Sequence, residues 1–419
     1  MTDGRDAMAS ARDRGEPTAR LRTLVTALKE AGYLPDPRIE AAFRAVPRHL
    51  FLPEAPLETA YSDEAIPTKR RAGLVISSSS QPAVMAIMLD QLGLRPGDRV
   101  LEIGAGTGYN AALMAHLVGD EGRVVTVDID DDIVSAARAH LAAAGFPTVH
   151  VVCGDGAAGY ADAAPYDRII LTVGAGDVVP AWVEQVCPGG RLLAPLALRG
   201  PIQKLVAFER VGDHLASVSV RDGGFMPLRG TAAGPPVEVA LGPAPGLVVG
   251  VGQPRAVDID AEGLYVALTG PHTDTSAPVR ASADEVWAGF SLWLATREPA
   301  MCTLVAVGDS DARAIVPAVF GTAALFRSTL GVLTATTLCV LARPSAEAAP
   351  ADALTVRRFG PDEGLTQRLI DHLVAWEAAG RPSTAGLRIR AYPRATAVAP
   401  SASEVVITKE HVQLVLDWP

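Results

Sequence analysis

The segment Val100–Asn110, VLEIGAGTGYN, narrows the fold more than any other stretch of this chain. An apolar run of strand length ends in Gly104, Gly106 and Gly108, and a helix-forming run begins at once. A turn of this kind lets a ligand reach backbone N–H groups with no Cβ in the way, where a parallel strand hands over to a helix. It also argues against a nicotinamide enzyme: the dinucleotide fingerprint GxGxxG needs glycine at position 109, which is tyrosine here.

The surrounding pattern repeats this strand-to-helix step. PAVMAIMLDQL, NAALMAHLV, DDIVSAARAHLAAAG and PAWVEQV read as helices, and RVLEIG, RVVTVDI, VHVVCGD, YDRIILTV and GGRLLAPL as strands. Apolar runs separated by amphipathic helices predict a parallel sheet covered on both faces. IQKLVAFERVGDHLASVSV then predicts two strands around a turn at Gly212-Asp213, an antiparallel edge to that sheet. Two helices precede it, one through Leu21, Leu24, Val25 and Leu28 and one through Ile39, Phe43 and Val46, stopped by Pro47.

Two further strand ends carry ligand-type residues. Asp128, twenty residues beyond Gly108, is placed to take two ribose hydroxyls. In CGDG, Asp155 is placed to accept from an adenine amino group while Gly156 lets the base lie against the chain; the bland alternative is a turn with an N-cap aspartate.

With 419 residues, 49% hydrophobic and 20% charged, the chain reads as a globular protein of two domains. Its net charge of -10 argues against a nucleic-acid partner. No apolar run reaches signal-peptide or membrane-span length, so a cytoplasmic protein with no membrane partner is expected. Cys153, Cys187, Cys302 and Cys339 are widely spaced and read as buried thiols, without zinc spacing.

From Leu21 to Arg229 the chain resembles the protein-L-isoaspartate O-methyltransferase family, with VPRHLFLP, AYSDEAIP, SQP, GDRVLEIGAGTGYNAALMAHLVG, GDG, APYDRIILTVGA, PGGRLLAPL and FMPL in that family's order. The resemblance implies an α/β class I methyltransferase fold, Rossmann-like and mostly parallel with an antiparallel edge, followed by a C-terminal α+β domain. It implies S-adenosylmethionine as methyl donor, with S-adenosylhomocysteine as product, and a peptide carboxylate as acceptor. Cofactor contacts carry over to Glu102, Gly104, Gly106, Gly108, Asp128, Ile129, Asp155 and Gly156. The family's catalytic serine falls on Ser80, with Ser78, Ser79 and Gln81 on the substrate side. A serine before Pro82 also has a plainer use, capping the helix that starts there.

Such chemistry needs no general base, because the attacking carboxylate is already ionised near neutral pH. It needs donors that orient the acceptor, which is the role expected of Ser80. Where this family usually has Thr-Ile, the chain has Ser78 and Ser79, which predicts a more polar or roomier acceptor pocket.

The expected organisation is a flexible tail over 1–18, the methyltransferase domain over 19–229, and an accessory domain over 230–419 that contacts the peptide substrate. That extra domain, with SSSSQP, resembles methyltransferases that modify ribosomally made peptides such as lanthipeptides and graspetides. There the acceptor is an aspartate of a macrocyclised precursor, and its ester closes to a succinimide (aspartimide) that can open to isoaspartate. The alternatives are repair of isoaspartyl sites in damaged proteins, methylation of a small acid, and a peptide-binding scaffold without turnover. In the accessory domain, Trp287, Phe290 and Trp293 share a helical face suited to a core or to peptide contact. His272, Asp274, Asp371 and His372 show no metal-ligand spacing.

Overall fold

The computed structural model describes residues 3–71, 74–234, 238–243, 246–252, 257–307, 312–322, 326–344 and 350–418. Helix α1 spans Asp3–Glu30 and α2 Pro37–Ala45. The segment expected to be a tail is therefore helical from Asp3. Beyond it Leu21, Leu24, Val25 and Leu28 are buried as their spacing requires. Helix α2 starts on Pro37 with Asp36 accepting from the Arg38 N–H, a capped start with proline in the first turn. After the short α3 (Leu57–Ala60) comes a hairpin of β1 (Ile66–Arg71) and β2 (Leu74–Ser79), and then α4 (Pro82–Leu92). The serine run is thus mostly strand, paired Ile66 to Ser79 and Pro67 to Ser78.

The doubly wound core follows as β3 (Arg99–Ile103), α5 (Tyr109–Val118), β4 (Arg123–Asp128), α6 (Asp131–Ala143), β5 (His150–Cys153), β6 (Tyr166–Leu171), α7 (Pro180–Gln185) and β7 (Val186–Arg199). β3 pairs in parallel with β4 and β6, β4 with β5, and β6 with β7, so these five strands point their carboxyl ends the same way. β8 (Ile202–Val211) and β9 (His214–Asp222) add the antiparallel edge, turning at Gly212-Asp213. Along β8 alternate residues serve two cores: Leu205 and Ala207 join the side of α4 and α5, Val206 and Phe208 the side of α7.

The remainder forms a second, antiparallel sheet of β10 (Glu238–Ala240), β11 (Leu247–Val251), β12 (His272–Ser276), β13 (Met301–Val307), β14 (Phe320–Thr322), β15 (Phe326–Leu333), β16 (Leu338–Ala342) and β17 (Thr355–Phe359). Helices Ala261–Thr269 and Gly364–Ala378 pack on it.

The boundary at Arg229 needs a correction at the other end of the chain. β18 (Arg388–Pro393), β19 (Val405–Thr408) and β20 (Val412–Asp417) leave the second sheet and extend the first, in the order β19-β20-β18-β9-β8-β7-β6-β3-β4-β5. β18 pairs with β9 at Arg390–Ala216 and Ala391–Leu215, and the Ile389 N–H donates to Ser217 Oγ at 2.8 Å. An uncovered β9 would be an open sheet edge, and these strands close it. Only 230 to about 387 is a separate layer; the last strands belong to the first sheet.

The aromatic stripe of the accessory region is largely core. Phe290 is buried and Trp293 nearly so, beneath the Arg297 guanidinium at 3.7 Å, whereas Trp287 is half-buried. Asp274 pairs with Arg357 and His372 with Glu298. Cys302 and Cys339 are buried, but Cys153 is exposed, because it ends edge strand β5. No helix among the described residues is long and apolar enough to cross a membrane.

Candidate active site

A cavity of about 290 Å³ opens where β3, β4 and β6 end. One side is built from the glycine turn, Glu102, Asp128, Ile129, Gly156 and Thr172; the other from Ser77 to Gln81, Val84 and Met85, with Gly224–Arg229 across the mouth. In open α/β sheets ligands bind at this end of the strands. The structure therefore brings the two halves read from the sequence into one space.

At Gly104 the backbone has φ +104°, and a Cβ there falls 2.6 Å from Thr172 Oγ1. At Gly156 a Cβ falls 2.4 Å from Ile103 Cγ2. Both positions exclude any side chain and leave bare backbone facing the cavity. Gly108 does not line it; this glycine caps α5 in the left-handed conformation and packs against Leu141. Asp128 accepts from the Gly106 N–H at 3.1 Å, and burial raises its carboxyl above the usual range. Ile129, 36% exposed, forms an apolar lip beside it. Glu102 is fully buried and accepts from Asn110 Nδ2 at 2.8 Å and Thr126 Oγ1 at 2.7 Å; burial pushes its carboxyl up to about 7. Its oxygens are engaged with these protein donors.

Asp155 departs from the adenine role. Its Oδ1 accepts from the Ala157 N–H at 3.0 Å, and its Oδ2 from Thr231 N and Oγ1 at 2.7 and 2.8 Å. It does not line the cavity: it is the turn-capping aspartate, and it anchors the chain leaving the domain.

On the acceptor side, Ser80 is half-buried in the wall and does not cap α4. That task falls to Asp63, which accepts from the Ala83 N–H at 2.8 Å and from Gln81 Nε2 at 3.1 Å. Gln81 is thus held by Asp63, and Ser80 Oγ has no protein partner among the described residues. The Ser80 carbonyl is held instead by Arg48. This guanidinium is completely buried and donates to the carbonyls of Ala60, Ser62, Glu64 and Ser80 at 2.8 to 3.1 Å. Burial lowers its pKa, and no carboxylate among the described residues lies within ion-pair distance of it. Asp63 and Arg48 were not singled out from the sequence. Arg48 carries a faint signal, a charge inside the apolar VPRHLFLP; the partners of Asp63 lie too far along the chain to show one.

The mouth is tied by charge. Asp130, just past Ile129, accepts from Lys69 Nζ at 2.9 Å and from both Arg229 amino groups at 3.2 and 2.9 Å, with Arg71 at 3.4 Å. These partners hold its carboxyl down at about 2, the hydrogen bond from Arg229 foremost. A carboxyl lowered in the fold stabilises it fully above the unfolded pKa near 3.8 and loses that contribution as pH falls toward 2. Asp130 links the β1–β2 hairpin to the cofactor side. Asp130→Asn should weaken ligand binding in this cavity roughly fivefold, the scale of partly exposed ion pairs, and reduce the salt dependence of that binding; titration at two ionic strengths checks both.

The model of the family described as protein-L-isoaspartate(D-aspartate) O-methyltransferase (PCMT) matches residues 19–232. The protein-L-isoaspartate O-methyltransferase of Methanopyrus kandleri is 43% identical over 191 residues, 45% of this chain and 82% of that protein. Protein-L-isoaspartate O-methyltransferase 2 of Archaeoglobus fulgidus is 40% identical over 196 residues, 46% of this chain and 85% of the relative. A solved protein-L-isoaspartate O-methyltransferase aligns with 25% identity and a TM-score of 0.49 over 88% of this chain and 96% of its own.

Proposed function

Because the chain belongs to the protein-L-isoaspartate(D-aspartate) O-methyltransferase family, we propose that it methylates the free carboxylate of isoaspartyl residues in peptides and damaged proteins. It is an S-adenosylmethionine-dependent protein carboxyl methyltransferase of that type. The observation that carries this proposal is one cavity in which the glycine turn, Asp128 and the serine run face one another.

The residues present fit the methyl donor: bare backbone at Gly104 and Gly156, a carboxylate at Asp128 and an apolar lip at Ile129 suit an adenosine with its ribose hydroxyls. Bound there, with Gly104, Gly156, Asp128 and Ile129 around its adenosine, S-adenosylmethionine would supply an activated methyl group for transfer to a carboxylate oxygen. The protein's part is to hold the acceptor in line and to exclude water. Ser80 Oγ donates to one acceptor oxygen in this reading, kept in place by Arg48 on its carbonyl. Ser80→Ala should lower kcat about 10- to 100-fold on an isoaspartyl peptide, with S-adenosylhomocysteine affinity unchanged. Unchanged turnover refutes the role.

A second reading is favoured by the polar Ser78–Ser79 pair and by the additional sheet. In it the acceptor is an aspartate of a macrocyclised, ribosomally made precursor peptide, and the ester loses methanol to give an aspartimide. Mass spectrometry of parallel reactions with an isoaspartyl peptide and a cyclised aspartyl peptide separates the two. Methyl gain on the first alone supports repair; methyl gain followed by methanol loss on the second supports the precursor.

A further inference from the structure

Six buried side-chain polar atoms among the described residues lack a hydrogen-bond partner, and three of them gather at the acceptor end of the cavity: Arg48 Nε, Ser79 Oγ and Tyr109 OH. Ser79 is 3% exposed and Tyr109 1%, and both line the cavity wall. Tyr109 enters from the first turn of α5, wedged between Phe43 and Phe51 with ring centroids 6.3 and 5.4 Å away, and the Arg48 guanidinium lies 6.0 Å from its ring. Ser79 is fixed by its pairing with Ile66 in the hairpin. Neither hydroxyl is needed to pack these side chains, and a buried unpaired hydroxyl is costly to the fold. Hydroxyls retained in that state at a cavity wall are donors kept for a ligand.

The charge around them says which kind. Arg48 brings a buried cation behind this end, with Asp63 near it but no carboxylate among the described residues in ion-pair contact, while the carboxyls of Asp128 and Glu102 line the cofactor side. Burial holds the Tyr109 hydroxyl well above its ordinary pKa, so it stays protonated and able to donate. Two fixed donors, with Ser80 Oγ nearby and a cation in reserve, match the acceptor-only oxygens of a carboxylate.

We propose that the hydroxyls of Ser79 and Tyr109 donate to a bound carboxylate at the Arg48 end of the cavity. Two carboxylates enter this space, that of the acceptor residue and that of the methionine end of the cofactor; the first rests on the function proposed above, the second on the cofactor alone. Tyr109→Phe and Ser79→Ala each remove one oxygen and keep the packing. In the full-length chain, calorimetric titration with S-adenosylhomocysteine reads the cofactor, and KM and kcat for an isoaspartyl peptide read the acceptor.

About a tenfold loss is expected in one of these readouts for each variant. The melting temperature of the ligand-free protein should be unchanged or higher, because an unpaired buried oxygen has gone. A loss confined to the peptide constants assigns the carboxylate to the acceptor; a loss in S-adenosylhomocysteine affinity assigns it to the cofactor. Both variants within twofold of wild type in both measurements overturn the proposal. So does a ligand-free melting temperature lowered by more than ~5 °C in both, since the hydroxyls then serve the fold. If the wild type methylates no peptide, the proposed function fails, and the proposal then stands or falls on the titration: an unchanged S-adenosylhomocysteine affinity in both variants overturns it.

Discussion

Asp128→Ala is expected to weaken S-adenosylhomocysteine binding by about a hundredfold, the value of two hydrogen bonds from ribose hydroxyls to a charged acceptor. The fold should survive. Asp128 sits at the last position of β4, and within the protein it takes a 3.1 Å bond from the Gly106 N–H and a long one, 3.4 Å, from the Asp130 N–H. Alanine frees the first of these donors at the cavity surface, where a bound ligand or water can meet it. Asp128→Asn separates charge from shape: the amide keeps one acceptor but loses the charge, so its affinity should fall between those of wild type and alanine. Titration of all three proteins checks the order. An alanine variant that binds within threefold of wild type would show that the carboxylate faces the cavity without holding the ribose.

The cofactor half was legible in the sequence because its signals are local. A strand, a glycine turn and a helix start lie within eleven residues at Val100–Asn110, and the structure has β3, the turn and α5 at those positions. Asp155 shows the limit of that reading. At a strand end an aspartate that binds a ligand and one that caps a turn look alike; here one oxygen caps through the Ala157 N–H and the other is taken by Thr231, far along the chain. The acceptor half was less legible. Four consecutive serines have no strand signal of their own, and β2 exists because β1 pairs with it and because Lys69 and Arg71 tie that hairpin to Asp130. The capping of α4 by Asp63 is non-local too; from the sequence, Ser80 looks like the natural cap. The return of β18 to β9 could not be read at all, since any apolar strand near the C-terminus suits either sheet. Register across some 170 residues is settled by which edge needs a partner.

Arg48→Met should be the most damaging single change outside the glycine turn. Among the described residues the guanidinium alone joins the carbonyls of Ala60, Ser62, Glu64 and Ser80, and methionine fills much of its volume without offering a donor. Four carbonyls lose their partner around a side chain that is itself completely buried, which costs about 3–5 kcal/mol after partial rescue by water. For a chain of 419 residues that is a drop in melting temperature on the order of 5 °C. Turnover should fall further than stability, because the Ser80 carbonyl and the loop before Ala65 are both set by this one residue. Arg48→Lys tests whether charge or geometry matters more. An ammonium keeps the cation behind Ser79 and Tyr109, but its three donors radiate from one point and cannot span four carbonyls on two segments. If lysine restores the affinity for peptide while kcat stays low, the charge of Arg48 draws in the carboxylate and its fork positions Ser80 for the transfer. If lysine restores neither, the two effects cannot be separated, and the loop geometry set by the fork governs both binding and turnover.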